Sequence, residues 1–283
     1  MTEPATVEAE GGAPLVSVCI PAYNNASTIR DTVESVLASD YKNIEVIIVD
    51  DCSSDDTFDV AEAIDDERVF VCKNYDNLGM AGNWNRCLSC CKGEYIRLLC
   101  ADDRIDADLI STEVGILDEH PRVVMVSTDT AFINEAGEVV GHYDRYKKNG
   151  VVPGREIFKS SLFTRDYLGA PLANLFRKSA AEAVGGFDTS FSYIIDYDFF
   201  GGIALLGDVY VLHEKKNYFM LRSGSNTSRV LGGAGSADYI REHRLLVEKY
   251  AGALGLGGFE KWLSVMIRRA TVFLGGIYLG VKG

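Results

Sequence analysis

The first half of the chain alternates short apolar runs with segments of helical period, and few folds accept that pattern. "LVSVCIP" (15–21), "NIEVIIVD" (43–50), "RVFVCK" (68–73) and "EYIRLLC" (94–100) are each the length of one strand and largely apolar throughout. Between them, Ile29, Val33, Val36 and Leu37 recur at helical spacing behind Ser27 and Thr28, residue types that cap helix N-termini. "SSDDTFDVAEAI" opens the next helix with caps and acids that suit the positive end of its dipole. Met80, Trp84, Cys87, Leu88 and Cys91 mark one face of a third helix, 80–91, with Lys92-Gly93 as its predicted C-cap. Apolar strands joined by helices are βαβ units, and these predict a parallel sheet covered on both faces.

"DADLISTEVGILDEHP" predicts a fourth helix ended by Pro121, "VVMVST" (123–128) a further strand and "INEAGEVVG" a hairpin. Residues 141–170 lose periodicity, so a long loop or insertion is expected there. Order returns with "PLANLF" (171–176), "SAAEAVGGFD", a helix from about Asp196 to Leu206 and the strand "VYVLH". From Ser236 two helices follow, the first with Ile240, His243, Val247 and Tyr250 on one face and His243 read as a core or interface residue. The expected division is an acidic tail (1–14), a first half (15–130), a second half (131–228) and a helical extension (229–283). With 283 residues, 47% of them hydrophobic, the chain can bury a sizeable core.

A net charge of -13 argues against nucleic acid, because phosphate binding needs clustered Lys and Arg. Cysteines 19, 52, 72, 87, 90, 91 and 100 are odd in number and lie mostly in apolar runs, so they read as reduced core residues. Cys87 and Cys90 form a C-x-x-C, but no second Cys/His pair completes a zinc site. The first fourteen residues have neither a basic nor an apolar signal region, so a cytoplasmic protein is expected. No window approaches the roughly 18 apolar residues of a membrane span. "ATVFLGGIYLGV", preceded by Trp262, Arg268 and Arg269, reads as a core helix, an inter-subunit face of a homodimer or a weak peripheral contact with a membrane.

In open α/β sheets, ligands bind beyond the carboxyl ends of the strands. There the chain places Pro21, Ala22, Tyr23 and Asn24 after strand 1, Asp50 and Asp51 after strand 2, and Asp102 and Asp103 after strand 4. Each acidic cluster alone could serve only as a helix cap. Together at successive strand ends, repelling carboxylates call for a cation or a donor-rich ligand. "IPAYNNAST" lacks both G-x-G-x-x-G and G-x-x-x-x-G-K-[ST], which disfavours dinucleotide oxidoreductases and P-loop NTPases. Paired carboxylates suit a hard divalent ion such as Mg²⁺, which is commonly shared with substrate phosphates. The implied ligand is a diphosphate.

"VSVCIPAYNNASTIRDTVESVLASDY", "IEVIIVDDCSSDDT", "NLGMAGNWNRCL" and "GEYIRLLCADD" together resemble family 2 glycosyltransferases, over 15–130 strongly and 170–228 more weakly. The resemblance implies a GT-A fold: a Rossmann-like, mostly parallel twisted sheet flanked by helices, with an acceptor-side region and terminal helices behind it. It implies inverting transfer of one sugar from a nucleoside diphosphate sugar, most simply a UDP-sugar. The acceptor would be a hydroxyl of a cell-surface glycan or lipid-linked molecule, as in polysaccharide biosynthesis. By the family's pattern Pro21, Ala22 and Tyr23 lie against the nucleoside, Asp51 contacts the base and Asn83 contacts the donor. The metal motif, often D-x-D, is here "ADD" with Ala101 first, so Mn²⁺ or Mg²⁺ falls to Asp103 and the ribose or donor sugar to Asp102. An acidic pair supplies the general base in the family. "YIIDYDFF" fits it with Ile195 replacing the Glu and Asp196 as base, Asp198 being the fallback and a helix cap the plain alternative. "LRSGSNTS" resembles a loop near the diphosphate, with Arg222 as its phosphate contact, and no Q-x-x-R-W motif signals a polymerising synthase. The competing readings are a sugar-1-phosphate nucleotidyltransferase, whose Gly-rich basic loop is missing, and a non-catalytic nucleotide-sugar or glycan binding module.

Overall fold

Along β1 (Val16–Ala22) alternate side chains enter two different cores, Cys19 on one face and Val18 and Ile20 on the other. β2 (Ile44–Asp50) repeats the pattern, with Ile47 and Val49 on the first face and Val46 and Ile48 on the second. Burial on both faces is why these strands read as continuous apolar runs. The computed structural model describes residues 12–221 and 235–280. Arg222 and most of the 1–14 tail lie outside the described residues.

The sheet runs β3 (Val69–Lys73), β2, β1, β4 (Tyr95–Leu98), β9 (Asn174–Arg177), β6 (Val123–Ile133), β10 (Asp208–Met220) and β5 (Arg104–Ile105). β7 (Val139–Tyr143) adds to β6, and β8 (Gly150–Pro153) to β10. Neighbours from β3 to β4 are parallel, as are β6 and β10, whereas β9 runs antiparallel to both β4 and β6. The ends of β2, β1 and β4 therefore meet along one edge.

One face is covered by α3 (Gly79–Cys90), α5 (Gly154–Phe163), α6 (Lys178–Val184), α7 (Ile195–Ala204) and α8 (Ser236–Leu254). The other is covered by α1 (Ile29–Leu37), α2 (Thr57–Glu62) and α4 (Leu109–Glu119). The last helix, α9 (Gly258–Gly280), packs on α5 and α8. His243 is buried with Nε2 3.0 Å from Ser264 Oγ, and burial with Arg268 nearby pushes its pKa down to about 3. It is a core histidine.

Four expectations change. Residues 141–170 are not an unstructured insertion: β8 pairs with β10, and α5 buries Ile157, Phe158 and Leu162. β8 has only four residues, and the buried face of α5 is interrupted by Gly154 and Ser161, so neither shows a clear period in sequence. The strand after "VYVLH" continues to Met220, because a register shift between Leu212 and Asn217 lets the polar "HEKK" bow out of the pairing with β6. Thr28 does not cap α1; its Oγ1 donates instead to Ala101 O at 2.8 Å. Gly93 does not cap α3, which ends on the extended Cys91; a Cβ at Gly93 would lie 2.6 Å from Leu15 O and from Ser17 N, so close approach to β1 is what requires the glycine.

Candidate active site

The turns after β1 and β2 are laced together. Asn24, at φ 55, donates its N–H to Ser53 Oγ at 2.9 Å and accepts from Ser54 N at 2.9 Å. Asn25 N donates to Thr57 Oγ1 (2.7 Å) and Ala26 N to Asp55 Oδ2 (3.1 Å). Much of the acidic run "DDCSSDD" thus holds backbone. Pro21 and Ala22 are buried in β1, and Tyr23 beyond them is half exposed over the edge.

Asp51 is buried at the N-terminus of α3, where Oδ1 accepts from Asn74 Nδ2 and Leu78 N, both at 2.8 Å, and Oδ2 from Gly79 N at 3.0 Å. These use three of about four acceptor positions of a carboxylate, leaving one on Oδ2. The like-charge problem seen in sequence is relieved by these N–H groups, and at Asp50 by Ser53 N (3.1 Å) and Lys73 Nζ (3.7 Å). Asn83 is also buried: its Nδ2 donates to Val49 O at 3.1 Å and its Oδ1 accepts from Asn74 Nδ2 at 2.9 Å. Both ends of the Asn83 amide are thus engaged within the protein, and through Asn74 it braces Asp51.

At the end of β4, Leu99 N still donates to Cys19 O at 3.0 Å, and the Thr28 bond fixes Ala101. Asp103 is buried and its Oδ1 accepts from Met220 N, at the end of β10, at 3.0 Å; Asp102 beside it is partly exposed. No group of three or more His, Cys, Asp or Glu among the described residues is spaced to hold a metal. The donor set nevertheless fits the mode in which one or two carboxylates bind a hard cation and diphosphate oxygens complete its shell. Cys100 does not alter that oxygen character. Burial first, then the charges of Asp103, Asp102 and Asp196, push its thiol well up, so it stays protonated.

Cys100 thus feels both the strand-end pair and Asp196 on α7. Asp196 Oδ1 accepts from Tyr197 N at 2.8 Å and Oδ2 from Ala170 N at 2.9 Å. Burial, then the charge of Asp166, raises its pKa to about 6. This proton affinity is that of a usable base near neutral pH. Asp198, the fallback, is buried and salt-bridged to Lys249 Nζ at 2.8 Å. From α8, Glu242 accepts Ser192 N (3.0 Å) and Tyr193 N (2.8 Å), fixing the loop that leads into α7.

Sequence reasoning missed Asp166, Cys100 and Thr28. Asp166 sits in the stretch that lacked periodicity. Cys100 read as core because it ends an apolar run. Thr28 carried a cap signal that its tertiary partner overrides.

Residues 17–184 match the family model described as glycosyl transferase family 2. The chain is 28% identical to the uncharacterised protein MT1568 of Mycobacterium tuberculosis over 95% of its own length and 88% of that protein. It is 45% identical to WfaP of Escherichia coli, a UDP-Glc:alpha-D-GlcNAc-diphosphoundecaprenol beta-1,3-glucosyltransferase, over 37% of this chain and 41% of WfaP. It is 32% identical to an uncharacterised glycosyltransferase of Rickettsia typhi, RT0329, over 71% of this chain and 62% of that protein. Of the last two relatives the chain thus spans about two fifths and three fifths. Among solved structures, Staphylococcus aureus TarS 1-349 with UDP-GlcNAc superposes at TM-score 0.66 and 20% identity, over 82% of this chain and 66% of TarS 1-349. The mannosyltransferase PcManGT of Pyrobaculum calidifontis, with GDP-Man and Mn2+, superposes at 0.61 and 18%, over 92% of this chain and 74% of that one. These likenesses bear out the GT-A fold that the resemblance implies and the covered sheet that the strand pattern predicts.

Proposed function

The chain belongs to glycosyl transferase family 2 and is a glycosyltransferase, and from that premise we propose that it moves one sugar from a nucleoside diphosphate sugar, a UDP-sugar foremost, to an acceptor hydroxyl with inversion. The acceptor class is a cell-surface glycan or a lipid-linked molecule. The single observation behind this reading is Asp196, a carboxylate of raised proton affinity whose charge reaches the Cys100 thiol together with those of Asp102 and Asp103. Asp196 takes the proton of the acceptor O–H as that oxygen bonds to C1 of the donor sugar. The C1–O bond to the diphosphate breaks on the opposite face, and its electron pair leaves with the diphosphate. One base and no covalent sugar intermediate give inversion.

Tyr23 stacks on the nucleoside beyond Pro21 and Ala22, and the remaining acceptor position of Asp51 Oδ2 takes a base N–H. Asp102 serves the ribose or donor sugar, and Arg222 the phosphates. Asp103, with Asp102 beside it, would hold Mn²⁺ or Mg²⁺, which when bound neutralises charge growing on the diphosphate. The test is nucleotide release from a panel of UDP-, GDP- and dTDP-sugars with Mn²⁺. One donor should stand out, and Asp103→Ala should lower turnover by roughly 100-fold or more, the scale of losing a main electrostatic stabiliser. Turnover indifferent to Asp103→Ala overturns the metal assignment. Donor binding without release under any metal favours the binding-module reading.

The same proposal extends to a peripheral membrane contact through α9. Phe259, Trp262 and Phe273 are 71%, 57% and 69% exposed on this helix, with Arg269 also exposed, a composition suited to an interfacial face. No helix among the described residues is long and apolar enough to cross a membrane. The full chain should sediment with vesicles containing anionic lipid, and a Phe259→Ser/Trp262→Ser variant should lose most of that binding while keeping its fold. Binding unchanged in the variant removes this reading, and a doubled mass in lipid-free solution, abolished by the same changes, assigns the face to a homodimer.

A further inference from the structure

We propose that Asp166, which belongs to no sequence motif, is the positioning residue for Asp196, holding its carboxylate against that of the base across Gly169 so that the pair takes up the acceptor's proton together. The inference rests on the reading of Asp196 as base.

The geometry leaves Asp166 little freedom. Its Oδ1 accepts from Leu168 N at 2.9 Å and Gly169 N at 2.8 Å. Its Oδ2 is thereby turned onto Gly169, where an added Cβ would lie 2.2 Å from that oxygen and 3.2 Å from Asp196 Oδ2. Both carboxylates thus border the space that a side chain at 169 would need. The next residue, Ala170, sits at φ 65, a conformation that non-glycine residues rarely adopt, and its N–H is the one that Asp196 Oδ2 accepts. Such strain persists only where the surroundings over-determine it. Here Arg145 donates to Gly169 O at 2.7 Å and Asn174 Nδ2 to Leu168 O at 2.9 Å, while Tyr143 Oη donates to Asp166 O at 2.6 Å.

Titratable or charged groups converge here from several elements, with Asp129 on β6 and Arg165 after α5 beside Arg145 and Tyr143. Arg145 lies between β7 and β8, Tyr143 on β7, Tyr197 on α7, Tyr239 on α8, Arg268 on α9, and Cys100 follows β4. Both guanidiniums are buried, Arg145 feeling the charges of Asp166 and Asp196 and Arg268 that of Asp166, which offsets the repulsion. Arg145 is fully committed, its other nitrogens donating to Thr128 O and Thr130 Oγ1, whereas Arg268 donates to Ser161 O and its Nε has no partner among the described residues. Burial, offset in part by Leu168, Gly169 and both arginines, raises the proton affinity of Asp166 as well. Two interacting acids of this kind titrate as a pair, and each ionised partner makes the other a stronger base.

The test compares pH profiles of kcat/KM for the unaltered protein, Asp166→Asn and Asp196→Asn. Asn at 166 keeps an acceptor for Leu168 N and Gly169 N while removing the charge. It should move the acid limb down by about one pH unit, the size of shift that a neighbouring charge imposes, and lower kcat about 10-fold with little change in the donor KM. An acid limb that stays in place overturns the inference, even if activity falls, because a structural role alone predicts that result. Activity retained by Asp196→Asn instead overturns the base assignment beneath it. Should Asp166→Asn fail to fold, carboxyl ¹³C titration of the unaltered chain decides. Two separated, mutually dependent steps support the pair, and independent titration of the two side chains at ordinary values overturns it.

Discussion

Asp196→Asn is expected to lower sugar transfer by roughly 10²–10⁴-fold, the range that one general base contributes, while donor affinity stays as it was. The donor contacts proposed for Tyr23, Asp51 and Asp102 lie on strand ends that the substitution does not touch. Steady-state kinetics with the preferred donor, alongside calorimetric donor binding, check both halves, and a variant that transfers at the normal rate removes Asp196 from the mechanism. A pH-dependent stability effect accompanies this. The folded carboxyl binds its proton at about 6 against 3.8 unperturbed. Folding therefore loses stability as pH rises from 3.8 to about 6. Thermal melts across that window should show the slope in the unaltered protein and less of it in Asp196→Asn. A plain helix cap predicts the opposite sign, since a carboxylate stabilised by N–H donors has a lowered pKa.

The largest effect on stability should come from the opposite face of the sheet. Arg97 on β4 and Glu113 on α4 form a salt bridge with both side chains fully buried. The guanidinium also donates to Leu172 O, and Glu113 Oε1 accepts from Thr128 Oγ1 at 2.7 Å. Glu113→Ala leaves that guanidinium buried without its counter-charge, which costs about 3–5 kcal/mol. Urea denaturation of Glu113→Ala reads the loss as a fall in midpoint. Replacing both residues by apolar ones, Arg97→Met with Glu113→Leu, should recover most of it, because paired burial of charge stabilises little over good packing. A single variant as stable as the parent would mean that water reaches the pair.

The first half was legible because β1, β2 and β4 are buried on both faces and so read as continuous apolar runs. The resemblance carried the fold further, since "VDD", "ADD" and "YIIDYDFF" lie on or just beyond regular elements. What stayed hidden is tertiary in origin. Asp166 is an isolated acid until α7 and the turn at Gly169 bring Asp196 beside it. Thr28 has the type and place of a cap, and only the fold shows its hydroxyl held by Ala101. Asn83 lies on a helix whose packing partner spacing alone does not name, and only the fold shows its amide bonded to Val49 O of β2. α5 was lost because its buried face mixes Gly154 and Ser161 with Ile157, Phe158 and Leu162, which blurs the apolar stripe.

The terminal helices looked detachable in sequence, yet Glu242 clamps the loop into α7, Lys249 binds Asp198, and Arg268 feels the charge of Asp166. A graft that swaps the segment after β10 for that of another transferase would remove in one stroke the clamp, a counter-ion and a charge beside the base. Such chimeras should fail in chemistry before they change acceptor. New acceptor preferences in this scaffold are better sought by substitutions around the strand ends and the start of α7, with the C-terminal helices left in place.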